Sequence, residues 1–274
     1  MELRIRLSTL LGRDQYPGEL AGWGPVHAEL ARDLATTLTR AEWRYAITDR
    51  RGQLLHSGIT RARPAGHPTR TGRSQAVVEL QVPAATLRAL VPESSELGGW
   101  VAVVADLAHR HAASEGVEGD RYAADADRRH PGTALRRHLQ IRDRQCTFFT
   151  CRAPARATDQ DHTRDHARGG DTSEDNLGGA CRHDHRLKHE GGWTLTQPEP
   201  GRFTWTSRLG RTYQTWPSPI IETLPDPIPR DRDPYPRTVP NDQDWENSTI
   251  LDEALPELEP PPPSYDPGDD PPPF

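Results

Sequence analysis

The sequence predicts an α+β protein: a mixed α/β region at the N-terminus, a small metal-stapled domain after it, and an acidic, proline-rich tail that does not fold. Three observations carry this prediction. Apolar and polar residues alternate with period two at the N-terminus and again near residues 43–47 and 76–82, as in half-buried strands. Between them lie stretches whose apolar residues recur every three or four positions, as in amphipathic helices. All three cysteines fall within residues 146–181, in a window that also gathers histidines and aspartates, which is metal-site spacing rather than disulfide spacing.

Composition bounds the rest. Only 33% of the 274 residues are apolar and 27 are proline, so part of the chain cannot bury enough surface to fold. No apolar run approaches the roughly 18 residues a membrane helix needs. The early arginines do not suit a signal peptide. A cytoplasmic protein with reduced thiols and no membrane partner is expected. Residues 217–274 hold three arginines against fourteen acidic residues, which leaves a net of +5 on residues 1–216. That basic body is either an ordinary solvated surface or a footprint for nucleic acid. Every basic residue but Lys188 is arginine, a bias that by itself says nothing about function.

In chain order, Leu3, Ile5 and Leu7 alternate with polar residues and predict a strand. Val26, Leu30, Leu34 and Leu38 recur every four residues and predict a helix that Pro25 opens. Trp43, Tyr45 and Ile47 alternate, Asp49 to Gly52 supply a turn, and Leu54 and Leu55 continue, which predicts a hairpin. Residues 61–75 read as a polar loop, 76–82 as a strand, 83–90 as a short helix and 100–113 as a longer one. Residues 114–132 turn polar and read as a linker or exposed loop. A helix restarts at Thr133 with Leu135, Leu139 and Ile141 inward and Arg136, Arg137, Arg142 and Arg144 outward. Residues 193–215 alternate across glycine turns and predict a small β-meander, whose aromatics either pack on the preceding motif or stack bases.

The cysteines suit a structural zinc ion, which takes four ligands, thiolates preferred, from two close-spaced pairs. Cys146 and Cys151 form a C-x4-C knuckle, and Cys181 opens the second pair. The fourth ligand is Asp184, at the usual offset, or its neighbour His183. A second constellation is catalytic in type. Hydrolysis of a phosphodiester needs a base, a cation on the scissile phosphate and a device that orients the base. His162 can be the base, with His166 as the fallback. Asp161 and His185 can hold a divalent ion (Mg, Mn or Zn), and Asn176 can pin the connecting loop. Gly169 and Gly170 permit a bend there, and Thr172 is a plausible cap for a short turn. Residues 181–189 read as a helix that places Cys181, Asp184 and His185 at i, i+3 and i+4, with His185 and His189 again four apart. Arg182, Arg186 and Lys188 on this helix are the expected DNA-binding residues.

Residues 141–216 resemble the HNH endonuclease domain of a large actinobacterial family in which a domain of unknown function precedes the nuclease. The resemblance rests on Arg142-Asp143-Arg144, Cys146, Cys151, Asp161-His162, Gly169-Gly170, Asn176-Leu177, Cys181-Arg182, His185-Arg186, Lys188 and Gly192-Trp193. It implies a zinc-stapled ββα-metal fold with His162 as general base, Asp161 and His185 as catalytic metal ligands and Asn176 as loop anchor. Two departures stand out: many relatives have histidine where Asp184 stands, and no proline follows the D-H pair. The elements before residue 114 resemble the final part of the upstream domain, as though the chain started late in a longer ancestor. The expected organisation is therefore 1–113 upstream domain, 114–132 linker, 133–216 nuclease domain and 217–274 tail. The expected function is metal-dependent cleavage of DNA. The alternative is a zinc-stapled DNA- or protein-binding module with a vestigial nuclease centre; the intact D-H, N and H set favours the first, the shortened upstream domain the second.

Overall fold

The computed structural model of the chain describes residues 1–38, 40–66, 76–93, 96–115 and 122–222. The described residues belong to one compact unit, Met1–Leu224, and Pro225–Phe274 lie outside the described residues.

The architecture is mixed α and β. Its first part contains β1 (Glu2–Arg6), α1 (Leu7–Leu10), β2 (Gly18–Leu20), β3 (Gly24–Val26), α2 (Ala28–Thr37), β4 (Glu42–Thr48), β5 (Leu54–Ile59), β6 (Val77–Pro83), α3 (Ala84–Leu90) and α4 (Val101–Glu115). The six strands form one sheet in the order β3-β2-β1-β6-β4-β5, with β6 parallel to both neighbours. Because side chains alternate along a strand, Leu3, Ile5, Trp43, Tyr45, Ile47, Val78, Leu80 and Val82 share one core with helix residues such as Leu87, Val103 and Leu107. Several of the intervening residues, among them Arg4, Arg44 and Glu79, are charged. Register places Arg4 beside Glu19 and Glu79, and Glu79 beside Arg44, so charges alternate in sign across four strands.

That polar face is not left to water; helix α5 (Thr133–Asp143) lies on it. Arg137 holds both carboxylate oxygens of Glu42 at 3.0 Å, and Arg144, just past the helix, holds Glu79 at 2.7 Å. Arg44 donates to Gln140 at 3.1 Å, and Ser57 meets His138 at 2.9 Å. After α5 come β7 (Asp159–His162), β8 (Leu177–Ala180), α6 (Arg182–Glu190), β9 (Thr194–Glu199), β10 (Arg202–Thr206) and β11 (Thr212–Thr215). β7 and β8 pair antiparallel, and α6 follows β8 at once, a ββα unit. The strands β9 to β11 form the predicted meander, and its Phe203 and Trp205 are buried with Leu195. Trp205 donates to the carbonyl of Thr147 at 2.9 Å, so this ring packs on the knuckle rather than waiting for a base.

Several expectations are corrected. Leu7 begins α1 rather than ending a strand. Pro25 lies in β3 at the sheet edge, where no neighbour needs its missing N–H. Helix α2 starts instead at Ala28, with His27 as its cap; it buries Ala28, Ala31 and Ala35, and Leu30 is exposed. Of the arginines expected outside on α5, only Arg136 is. Arg142 is 4% exposed; it pairs with Asp143 and donates to the carbonyls of Glu174 and Leu177. Residues 122–132 are exposed at most positions, as expected of a loop, but Tyr122 and Asp125 are buried and tie the segment down. The tail expected from residue 217 packs as far as 222: Ile220 and Ile221 are buried beside Ala46 and Ile141, and Ile220 N–H donates to Gly52. Its remainder, like the loop at 67–75 and the linker at 116–121, falls outside the described residues.

The seam between sheet and α5 is acid-sensitive by construction. Burial pushes the Glu79 carboxyl up, but the charge and hydrogen bond of Arg144, with Arg4 behind it, outweigh burial and hold it below its ordinary value. Such a group stabilises the fold fully above the unfolded-chain value, and the contribution is lost as pH falls through the lower folded value. We therefore expect stability, followed by urea unfolding, to fall steeply below about pH 4.5. Glu79→Gln should lower stability at neutral pH and flatten that acid slope.

Candidate metal centres

Two clusters of metal-ligating side chains meet on α6, which gives Asp184 to one and His185 and His189 to the other. In the first, Cys146 and Cys151 sit on a tight knuckle closed by backbone bonds from Cys146 to Ala153 at 2.8 Å and from Cys151 to Phe148 at 2.9 Å. Cys181 caps α6, and Asp184 lies in its first turn, where the helix dipole favours a negative charge. The ligand atoms of Cys146, Cys151, Cys181 and Asp184 all lie within 4.8 Å of one another. Asp184 Oδ2 is 3.2 Å from Cys146 Sγ and 3.1 Å from Cys181 Sγ. His183 is turned out to solvent and meets only the other carboxylate oxygen, at 2.8 Å. Of the two candidates for the fourth position, the geometry brings Asp184 to the thiols.

The donor set suits a soft cation. Burial pushes the Cys146 thiol far up, despite the backbone N–H groups of Cys181 and Phe148, and burial also raises Cys151. Burial alone would raise Asp184 too, but hydrogen bonds from His183 and the three thiols hold it below the usual carboxylate range. Cys146 and Cys181 thus aim their thiol protons at the Asp184 carboxylate and Cys151 aims its own at Cys181 Sγ, and a cation bound at that point takes the place of those protons. Three cysteines and Asp184 can accordingly hold a metal ion.

The second cluster joins β7 to the next turns of α6. Asp161 is buried, and its Oδ1 lies 3.4 Å from His185 Nε2 and 3.4 Å from His189 Nε2. The three residues form a second group able to hold a metal ion. His185 Nδ1 meets Asp159 Oδ2 at 3.1 Å, a carboxylate behind a ligand imidazole of the kind that fixes its orientation. His189 was not among the sequence-predicted ligands. Its signal was the four-residue step from His185, which puts both rings on one helix face.

Around this cluster the predicted residues fall in place unevenly. Asn176 holds the loop after β7 from both ends: its Oδ1 accepts from Thr163 Oγ1 and Arg164 N at 2.7 and 2.8 Å, and its Nδ2 donates to the carbonyls of Arg164 and Asp171. Gly170 is required there, since a Cβ would sit 1.8 Å from the Arg164 carbonyl oxygen. His162 ends β7, buried, with Nε2 at 2.8 Å from Thr172 Oγ1. Burial pushes its imidazole below the ordinary value, His166, Lys188 and His130 push the same way, and Asp161 only partly opposes them. That direction favours the neutral imidazole. His166 lies beside it, ring centroids 5.5 Å apart. Thr172, expected to cap a turn, is fully buried against His162 instead.

Arg182 and Arg186 are exposed on α6, and Arg186 pairs loosely with Glu190. Lys188 departs from expectation. Its side chain is 8% exposed, its ammonium lies 3.0 Å from Asp161 Oδ2 and 3.4 Å from Asp165, and it donates to the His162 carbonyl. A group so enclosed among carboxylates serves the centre from inside rather than meeting a phosphate. Among the described residues no helix is long and apolar enough to cross a membrane. Compared with protein-family models, curated proteins and solved structures, the chain has no match.

The geometry separates the ligands of the first cluster. Metal bound there should be lost on Cys151→Ser and Asp184→Ala but kept on His183→Ala, as read by metal analysis of the folded proteins after gel filtration. Equal loss in the His183 variant would move the fourth position to that residue.

Proposed function

We propose that this protein is a metal-dependent endonuclease of the HNH type that hydrolyses phosphodiester bonds in DNA, with a structural zinc ion at Cys146, Cys151, Cys181 and Asp184. The observation that carries the reading is the convergence, on one ββα unit, of Asp161, His185 and His189 with a neutral His162 adjacent in the chain. A carboxylate oxygen and two imidazole nitrogens suit a borderline divalent ion such as manganese or zinc. Such an ion, when bound, supplies charge for the scissile phosphate and the leaving oxygen.

The side chains do the rest. His162, in the neutral form that its lowered pKa favours, accepts a proton from water. Asn176 keeps the loop from 163 to 175 closed, so that the strand end carrying His162 keeps its place beside Asp161. Asp159 holds His185 with Nε2 toward Asp161. Lys188 offsets the buried charge of Asp161 and ties the His162 backbone to α6. Arg182 and Arg186, exposed on that helix, are available to backbone phosphates, which fix register without reading sequence.

His162→Ala should abolish cleavage of duplex DNA while leaving zinc and DNA binding near wild type, because a base contributes to the transition state more than to ground-state binding. His189→Ala and His185→Ala should lose activity that excess manganese partly restores, and Asn176→Ala should fall between. Because the imidazole must be neutral and its pKa is lowered, cleavage should persist below pH 6.5 and fade only as pH drops through the lowered value. Unchanged cleavage by the His162 variant would transfer the role to His166. Binding of DNA without cleavage under any divalent ion would favour the binding-module alternative.

A further inference from the structure

We propose that Thr172 and the backbone carbonyl of Arg128 form a relay that fixes His162 in its Nε2–H tautomer and so makes Nδ1 the atom that accepts the proton. The inference rests on the reading of His162 as the base and names the positioning residue behind it.

Thr172 has no exposed surface, and its hydroxyl meets two groups: His162 Nε2 at 2.8 Å and the carbonyl of Arg128. A carbonyl can only accept, and a hydroxyl has one proton to give. That proton goes to Arg128, so the Thr172 oxygen must accept, and the His162 nitrogen facing it must carry the hydrogen. Among the described residues no hydrogen bond reaches His162 Nδ1, which keeps its lone pair. When Nδ1 takes a proton from water, the ring becomes an imidazolium that still donates through Nε2. Both protonation states therefore fit the relay without rearrangement.

The far end of the relay is itself held. Thr172 N–H donates to the carbonyl of Ala126 at 3.0 Å, and Arg128 N–H donates to that of Asp125 at 2.9 Å. The Asp125 carboxylate accepts from the Arg128 guanidinium and from Gly132 N–H, each at 3.0 Å. Residue 132 must be glycine for this closure, since a Cβ there would lie 2.8 Å from both carboxylate oxygens. The segment before α5 thus becomes part of the centre: it presents one carbonyl, at a fixed point, to the residue that orients the base.

The test compares wild type, Thr172→Ser and Thr172→Val. In nitrogen-15 histidine spectra, with the His162 signals assigned by their absence from His162→Gln, wild type and Thr172→Ser should show the Nε2–H tautomer. Thr172→Val should show a mixture. With manganese and duplex DNA, Thr172→Val should lose about 10–100-fold in kcat with KM nearly unchanged, and serine should restore it. The Nδ1–H tautomer in wild type would overturn the proposal, as would an unaltered tautomer and kcat in Thr172→Val. Should the valine protein not fold, the wild-type and serine tautomers still decide. Absence of cleavage by the wild-type protein would count against the nuclease reading alone, since the tautomer comparison judges the relay without it.

Discussion

The buried pair Arg142–Asp143 is the interaction on which the rest of the structure depends. The two side chains bond at 2.7 Å with 5% and 1% of their surfaces exposed, and each has a second task. Arg142 holds the carbonyls of Glu174 and Leu177, and Asp143 Oδ2 accepts from Gly179 N–H at 2.9 Å. One end of α5 therefore grips the second strand of the ββ hairpin by its backbone. Two charges can be kept out of water only when their remaining hydrogen-bonding capacity is filled, and stranding one partner of such a pair costs about 3–5 kcal/mol. Here the backbone of β8 fills it. The same helix reaches the N-terminal sheet through Arg137, so a single element sets the hairpin against the sheet's charged face.

From that anchor the site follows by short steps. β8 runs into Cys181, which caps α6, and α6 delivers Asp184 to the thiols, then the next residue, His185, and a turn later Lys188 and His189 to Asp161. The thiol cluster and the cluster of Asp161, His185 and His189 thus share one helix. Metal held by the first would stiffen the platform that presents the second. Asp161 lies between two imidazoles on one side and an ammonium on the other, so its charge is divided between a cation site and an internal partner. An ammonium, compact and with three donors, reaches Asp161, Asp165 and the His162 carbonyl together.

Much of this was legible in the sequence, and the boundary is physical. Strands β1, β4 and β6 announce themselves because alternation is a property of neighbours. The Cys146–Cys151 knuckle and the Asp161-His162 pair are likewise local. Asn176 could be read as a loop anchor because its amide both donates and accepts. The misses depend on distant partners. Arg142 looked like a solvated residue because its acceptors lie 32 and 35 positions away, and Lys188 looked like a phosphate ligand because the carbonyl it holds is 26 positions back. Thr172 needed both His162 and Arg128, from two different segments, before its role could appear. Pro25 suits a helix opener and an edge strand alike, because a missing N–H is harmless at both; only the sheet order decides it.

The most direct measurement is a crystal structure of the protein soaked in manganese, with anomalous scattering collected to locate the ion. The account predicts a manganese peak bounded by Asp161 Oδ1, His185 Nε2 and His189 Nε2, separate from the metal among Cys146, Cys151, Cys181 and Asp184. A saturated crystal with metal at the thiolates and none between Asp161 and the two histidines would contradict it.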